Sequence, residues 1–107
     1  MDDRARTPTR IWHQSMTDLE RLAGYKAMLG EHARRVGGPD LAVDLHGLLP
    51  ESYPQGVPPV ALTRYRWAHH LLNVQIVENA IRAEAEGYAA VAISCFVDPA
   101  LELARGA

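Results

Sequence analysis

Apolar residues along this chain recur with two different periods, and the switches between them outline a fold. Ile11-Trp12-His13-Gln14-Ser15-Met16 is a short run with β-branched and aromatic content that closes in amide and hydroxyl residues, which predicts a first strand followed by a turn. Thr17-Asp18-Leu19-Glu20 then has the spacing of a capping box, in which a threonine oxygen and a glutamate satisfy free N–H groups at a helix start. Gly24 interrupts that pattern at about 1 kcal/mol relative to alanine, which places the start of the helix proper near Ala23. Leu22, Tyr25, Leu29, Ala33 and Val36 follow at steps of three and four and predict one buried stripe, with Lys26, Glu31, Arg34 and Arg35 between them. Gly37-Gly38-Pro39 ends the helix.

Leu41 to Gly47 alternates apolar with smaller or polar residues, the period of a second strand. From Leu48 to Val60 the density of proline, together with Gly56, removes the donors a ladder needs and predicts a loop of the length that commonly covers or binds. A second helix is marked by Trp67, Leu71, Val74, Val77, Ile81 and Ala85, with Leu72, Ile76 and Ala80 widening the apolar face, so it is expected to be heavily buried. Gly87 suits the left-handed residue that closes it. Tyr88 to Ile93 is a nearly continuous apolar run, as in a central parallel strand, and Asp98-Pro99 pairs an N-cap with proline at the first position of a third helix. This order predicts an α/β fold in three layers, with a parallel sheet of about three to four strands flanked by helices. Residues 1–107 read as a single lobe. Sheets usually have about 5 to 6 strands, so a half-built architecture or an obligate partner, with a homo-oligomer as the simplest form, is expected.

Composition narrows the class of partner. With 48% apolar and 22% charged residues the chain is an ordinary globular domain, and a net charge of −2 without a basic block argues against nucleic acid. The opening residues are polar and no apolar run is long enough to span a bilayer, so neither a secretory signal nor a membrane partner is expected and a cytoplasmic location follows. There a lone thiol stays reduced.

Chemistry is expected where loops converge at the carboxyl ends of the strands. Those loops carry Gln14, Ser15 and Thr17, then His46, then Ser94, Cys95 and Phe96. Cys95, the only cysteine, lies just ahead of an N-capped helix whose N–H groups favour a thiolate or a bound carboxylate, although cysteine also commonly fills core space. His69 and His70 point about 100° apart on a helix and cannot hold a metal as an i, i+4 pair would, so no metal is expected. His13 and His46 read as polar edge groups more readily than as proton carriers, and His32 as solvated. No phosphate loop, dinucleotide turn or serine elbow is present.

The segment Glu84 to Leu101, and above all Cys95-Phe96-Val97-Asp98-Pro99, resembles the aspartate/glutamate racemase family, particularly its hydantoin-racemase-like branch. Ser94 and Ala100 stand where that family usually has glycine. Ile11 to Met16, His46-Gly47 and Glu78 to Ile81 are also similar to family members. The resemblance spans nearly the whole chain but only the N-terminal half of the family's usual length, so the family's second lobe, with its second catalytic cysteine, is absent from these residues. It implies cofactor-independent racemisation beside a carboxylate or carbonyl, with no cofactor and a small carboxylate, amino acid or hydantoin as substrate. Cys95 would be one acid/base, and Gln14, Ser15, Ser94 and Phe96 would hold the substrate. Inversion needs a second acid/base on the opposite side, for which His46 is the candidate. The alternatives are a single-cysteine decarboxylase or isomerase of the same superfamily, and a non-catalytic carboxylate-binding or oligomerisation lobe.

Overall fold

The computed structural model describes residues 7–49, 66–94 and 100–107, with the backbone alone for 66–69. Its elements are β1 (Thr9–Ser15), α1 (Ala23–Gly37), β2 (Leu41–His46), α2 (Arg66–Ala85), β3 (Ala90–Ser94) and α3 (Leu101–Arg105). Short 3-10 turns at Leu19–Arg21 and Gly38–Asp40 flank α1. The fold is α/β, with helices on both sides of a parallel three-stranded sheet of order β2-β1-β3.

Strand register explains the layering. Gln14 pairs with His46 and Ile93, and His13 with Leu45 and Ala92. Paired residues of a parallel sheet share a face, so Trp12, Gln14, Asp44, His46, Val91 and Ile93 point one way and Ile11, His13, Ser15, Leu45, Ala92 and Ser94 the other. α2 lies on the first face, where Asn79 bonds Gln14. α1 lies on the second, where Gly30 approaches Leu45 closely enough that an added Cβ would meet its Cδ1 at 3.7 Å. The two crossovers run in opposite directions over the sheet, and equal handedness then demands opposite faces. α3 packs back against α2.

Several expectations change. The central strand is β1, not the apolar run before Cys95: β3 is an edge among the described residues, with Ala90 and Ala92 exposed. On α1 no residue is fully buried, and Tyr25 and Val36 are exposed while Leu22, Leu29 and Ala33 are half-buried. Among the strands α1 packs chiefly on β2, so one narrow side is covered. On α2 the buried stripe is Leu72, Ile76 and Ala83, whereas Leu71, Val74 and Ile81 are exposed. Asn79 lies within that buried stripe, and turning it inward gives the buried Gln14 amide a partner that the wholly apolar stripe lacks. Leu48, Leu72 and Ile76 form the core, joined by Met16, Ile93 and Ala100.

Local signals act much as the residues dictate. Asp18, rather than Thr17, is the cap: its Oδ1 accepts from the Glu20 N–H at 3.1 Å and starts the 3-10 turn, after which α1 begins at Ala23. α2 closes with Gly87 at φ 85°, the Tyr88 N–H reaching back to the Ala83 carbonyl and that of Gly87 to Glu84, the paired bonds of a Schellman end. α3 starts at Leu101, after Ala100 at φ 59°, two residues beyond the predicted Pro99. Asp98-Pro99 and most of the proline-rich loop lie outside the described residues.

Candidate functional site at the strand ends

The connection after β1 leaves toward the α1 side of the sheet, and α3, which follows β3, packs on the α2 side. The elements that follow β1 and β3 thus lie on opposite faces of the sheet, which makes the carboxyl ends of these two strands the topological switch point at which parallel sheets bind ligands. Ser15 and Ser94 are register partners at that rim. Cys95 follows Ser94 directly in sequence; Cys95 and Phe96 lie outside the described residues.

Among the described residues the buried polar side chains are Gln14, Ser15, Thr17 and Asp18, all within five positions at the end of the central strand. Burying polar groups is unfavourable unless each finds a partner, so such a concentration marks a place where something other than stability shaped the chain. Gln14 is fully buried and its amide is saturated. Its Oε1 accepts from Trp12 Nε1 at 2.9 Å and Asn79 Nδ2 at 3.0 Å, and its Nε2 donates to the Ser15 carbonyl at 2.9 Å and the Gly47 carbonyl at 3.4 Å. The side chain predicted to hold substrate is therefore occupied in tying β1, β2 and α2 together. Asp18 is 1% exposed, and its Oδ2 has no hydrogen-bond partner.

The loops after β1 and β2 are clamped together. Leu48 N–H donates to the Thr17 carbonyl at 2.9 Å, and a Cβ on Gly47 would come within 2.5 Å of that oxygen and 2.7 Å of Leu19 N. Only glycine allows this approach.

His46 is held away from Ser94. Its strand is separated from β3 by β1, roughly 10 Å at the usual strand spacing, and it faces α2 rather than the Ser15 side. Its ring stacks on Trp12 with centroids 3.5 Å apart, and Tyr88 meets both rings edge-on. Its Nε2 is enclosed without a partner. Burial lowers its pKa; Asp44 and Glu86 oppose this, while Arg82 and Lys26 add to it. Below it on the same face Tyr88 donates to Asp44 at 2.6 Å, which with burial raises the phenol pKa, and the Arg10 guanidinium covers the Tyr88 ring at 4.0 Å.

The residues that a reading of the sequence misses are Asp18, Gly47 and Asn79, while His13 reads there as a polar edge group more readily than as a proton carrier. Asn79 had one available signal, an amide interrupting an otherwise apolar helical stripe. His13 is half-buried, flanked in the sheet by Leu45 and Ala92, with Nδ1 enclosed and unpartnered. Burial lowers its pKa, only partly offset by a backbone hydrogen bond. Among the described residues no group of three or more potential metal ligands comes together, and no helix is long and apolar enough to cross a membrane. No protein-family model, curated protein or solved structure matches the chain.

Proposed function

We propose that this chain is a cofactor-independent racemase- or isomerase-like lobe acting at a carbon beside a carbonyl or carboxylate, with Cys95 as one acid/base. The observation that carries the reading is the register of β1 and β3, which pairs Ser15 at their carboxyl ends with Ser94, the residue immediately before the chain's only cysteine. Acid/base work at a C–H bond needs groups placed beside a pocket for one small molecule, and hydroxyls at the rim can donate to an oxygen on which negative charge develops. The substrate class is a small carboxylate, amino acid or hydantoin.

The test is incubation in D2O with the separate enantiomers of aspartate, glutamate and 5-substituted hydantoins, followed by proton NMR and chiral chromatography. Loss of the α-proton signal with inversion, and no inversion in Cys95→Ser, is expected. A well-folded sample that exchanges nothing above buffer sinks the reading. Alkylation of Cys95 should titrate below the ordinary thiol value of about 8.5. Product analysis separates racemisation from decarboxylation.

A second reading, a lobe that associates rather than catalyses, is favoured by the exposure of Ala90 and Ala92 on β3 and of Leu71, Ile81 and Leu103 on the helices. Sedimentation tests it, since a strictly monomeric species argues against it.

A further inference from the structure

The sheet presents two faces at its carboxyl rim, and they differ in what they leave available. On the α2 face Gln14 has four partners and His46 is stacked against Trp12. On the α1 face β1 places His13 two residues before Ser15, while β3 places Ala92 beside His13 and Ser94 beside Ser15. Alternate residues of a strand lie about 6.6 Å apart and neighbouring strands about 4.8 Å, so His13, Ser15 and Ser94 form a triangle with sides of roughly 5 to 8 Å. That is the scale of one small molecule. Ala90, Ala92 and Ser94 are exposed, and the small Ala92 is the register partner of His13 on this face.

His13 has the state such a site needs. The ring is half-buried, with its Nδ1 enclosed and without a partner. Burial keeps it below the ordinary histidine pKa and so neutral at pH 7, able to accept a proton.

We propose that His13 is the proton-transfer group of this strand-end face, removing an acidified α-hydrogen from a small carbonyl compound whose oxygen is held by the Ser15 and Ser94 hydroxyls. This deepens the isomerase reading and rests on it. In the step the substrate C–H bond breaks, its electron pair moves onto the carbonyl as an enolate, and the proton goes to Nε2 of the neutral ring to give imidazolium. Return of a proton from Nε2 re-forms the bond and restores both partners. In D2O the imidazolium exchanges with solvent, so a deuteron returns to the same face with retention. A weakly basic imidazole suits a hydrogen already made acidic by flanking carbonyl and nitrogen, as in a 5-substituted hydantoin.

The experiment follows α-proton loss from each enantiomer of 5-benzylhydantoin in D2O at pH 7 with wild type, His13→Gln, Cys95→Ser and, as a surface control, His32→Gln. Expected are a fall of about 10²-fold or more to the buffer rate for one enantiomer in His13→Gln, no change in His32→Gln, and exchange of that same enantiomer with retention in Cys95→Ser. Exchange at the wild-type rate in His13→Gln, but none in Cys95→Ser, overturns the role of His13 and leaves the isomerase reading standing. No exchange above buffer by wild type overturns both. If His13→Gln does not fold, ring resonances of the wild type decide: the His13 signal should move on adding 5-benzylhydantoin, and a signal fixed at saturating probe overturns the proposal.

Discussion

Replacing Gln14 with methionine keeps the volume of the side chain and removes the polar atoms by which this side chain ties β1 to Gly47 and to α2. The Trp12 indole N–H, fully enclosed, loses its acceptor, which is worth about 1–3 kcal/mol for a buried donor. The Ser15 carbonyl loses a donor at 2.9 Å, about 1 kcal/mol, while the Gly47 contact at 3.4 Å is too long to add much. Asn79 is half-buried and can turn its amide toward water, so its share is about 0.5–1 kcal/mol. The more favourable burial of methionine offsets part of this. The net loss is about 2–4 kcal/mol, a large part of the roughly 5–15 kcal/mol of a typical domain. Urea unfolding followed by far-ultraviolet circular dichroism should show the midpoint falling by roughly 1–4 M, given a slope of about 1–2 kcal/mol/M. Asn79→Ala should be destabilising in the wild type and nearly silent beside Gln14→Met, because both remove one interaction. A Gln14→Met variant within about 0.5 kcal/mol of wild type, or strict additivity with Asn79→Ala, would refute the claim that this amide is structural.

Other predictions follow from single contacts. Gly47→Ala drives a methyl against the Thr17 carbonyl and Leu19 N, backbone atoms that cannot step aside, so a loss of about 2–4 kcal/mol is expected; Gly24→Ala, with open space around it in α1, should gain up to about 1 kcal/mol, and thermal melts of the two should move in opposite directions. Ala100→Gly relieves a left-handed residue and should stabilise by about 0.5–1 kcal/mol after the greater chain entropy of glycine, measurable in the same melts. His46 has a folded pKa below its unfolded value, so the unfolded chain takes up the proton first: stability is fully present above about pH 6.5 and lost as pH falls from there toward the lowered pKa. His46→Phe keeps the stack on Trp12, and urea midpoints between pH 5 and 8 should show a shallower acid slope; an unchanged slope would sink this account.

What could be read from the chain was whatever depends on neighbours in sequence. The start of α1 at Ala23 follows from the cost of Gly24 in a first turn, and the end of α2 follows from Gly87, whose left-handed backbone needs no tertiary context. The α/β class followed from the change of period between elements. Rotation of a helix about its own axis is not encoded in that way. Two apolar stripes run along α2, and the choice between them was made by Asn79 and its distant partner Gln14, 65 positions away. Strand order was equally hidden: β3 is the most apolar run, yet β1, carrying Trp12, Gln14 and Ser15 buried, takes the centre because the second crossover passes over it.

The same limit separates the two histidines. Each ends or lies within a strand, and in sequence His46, at the strand end beside glycine, is the more natural partner for a rim cysteine. Register decides otherwise, because a shift of one residue along a strand moves a side chain to the opposite face. Gln14 pairs with His46, which commits His46 to the face of Trp12, Tyr88 and α2, where stacking and enclosure make it part of the packing. His13 pairs with Ala92 and shares the Ser15 face, where the neighbours on β3 are small and exposed. The α2 face is thus closed by the saturated Gln14 amide and the Trp12–His46 stack, whose loss shows in stability, and the α1 face holds groups whose loss should show in proton exchange. A variant set that divides along this line, Gln14→Met on one side and His13→Gln on the other, separates packing from chemistry within two adjacent residues of a single strand.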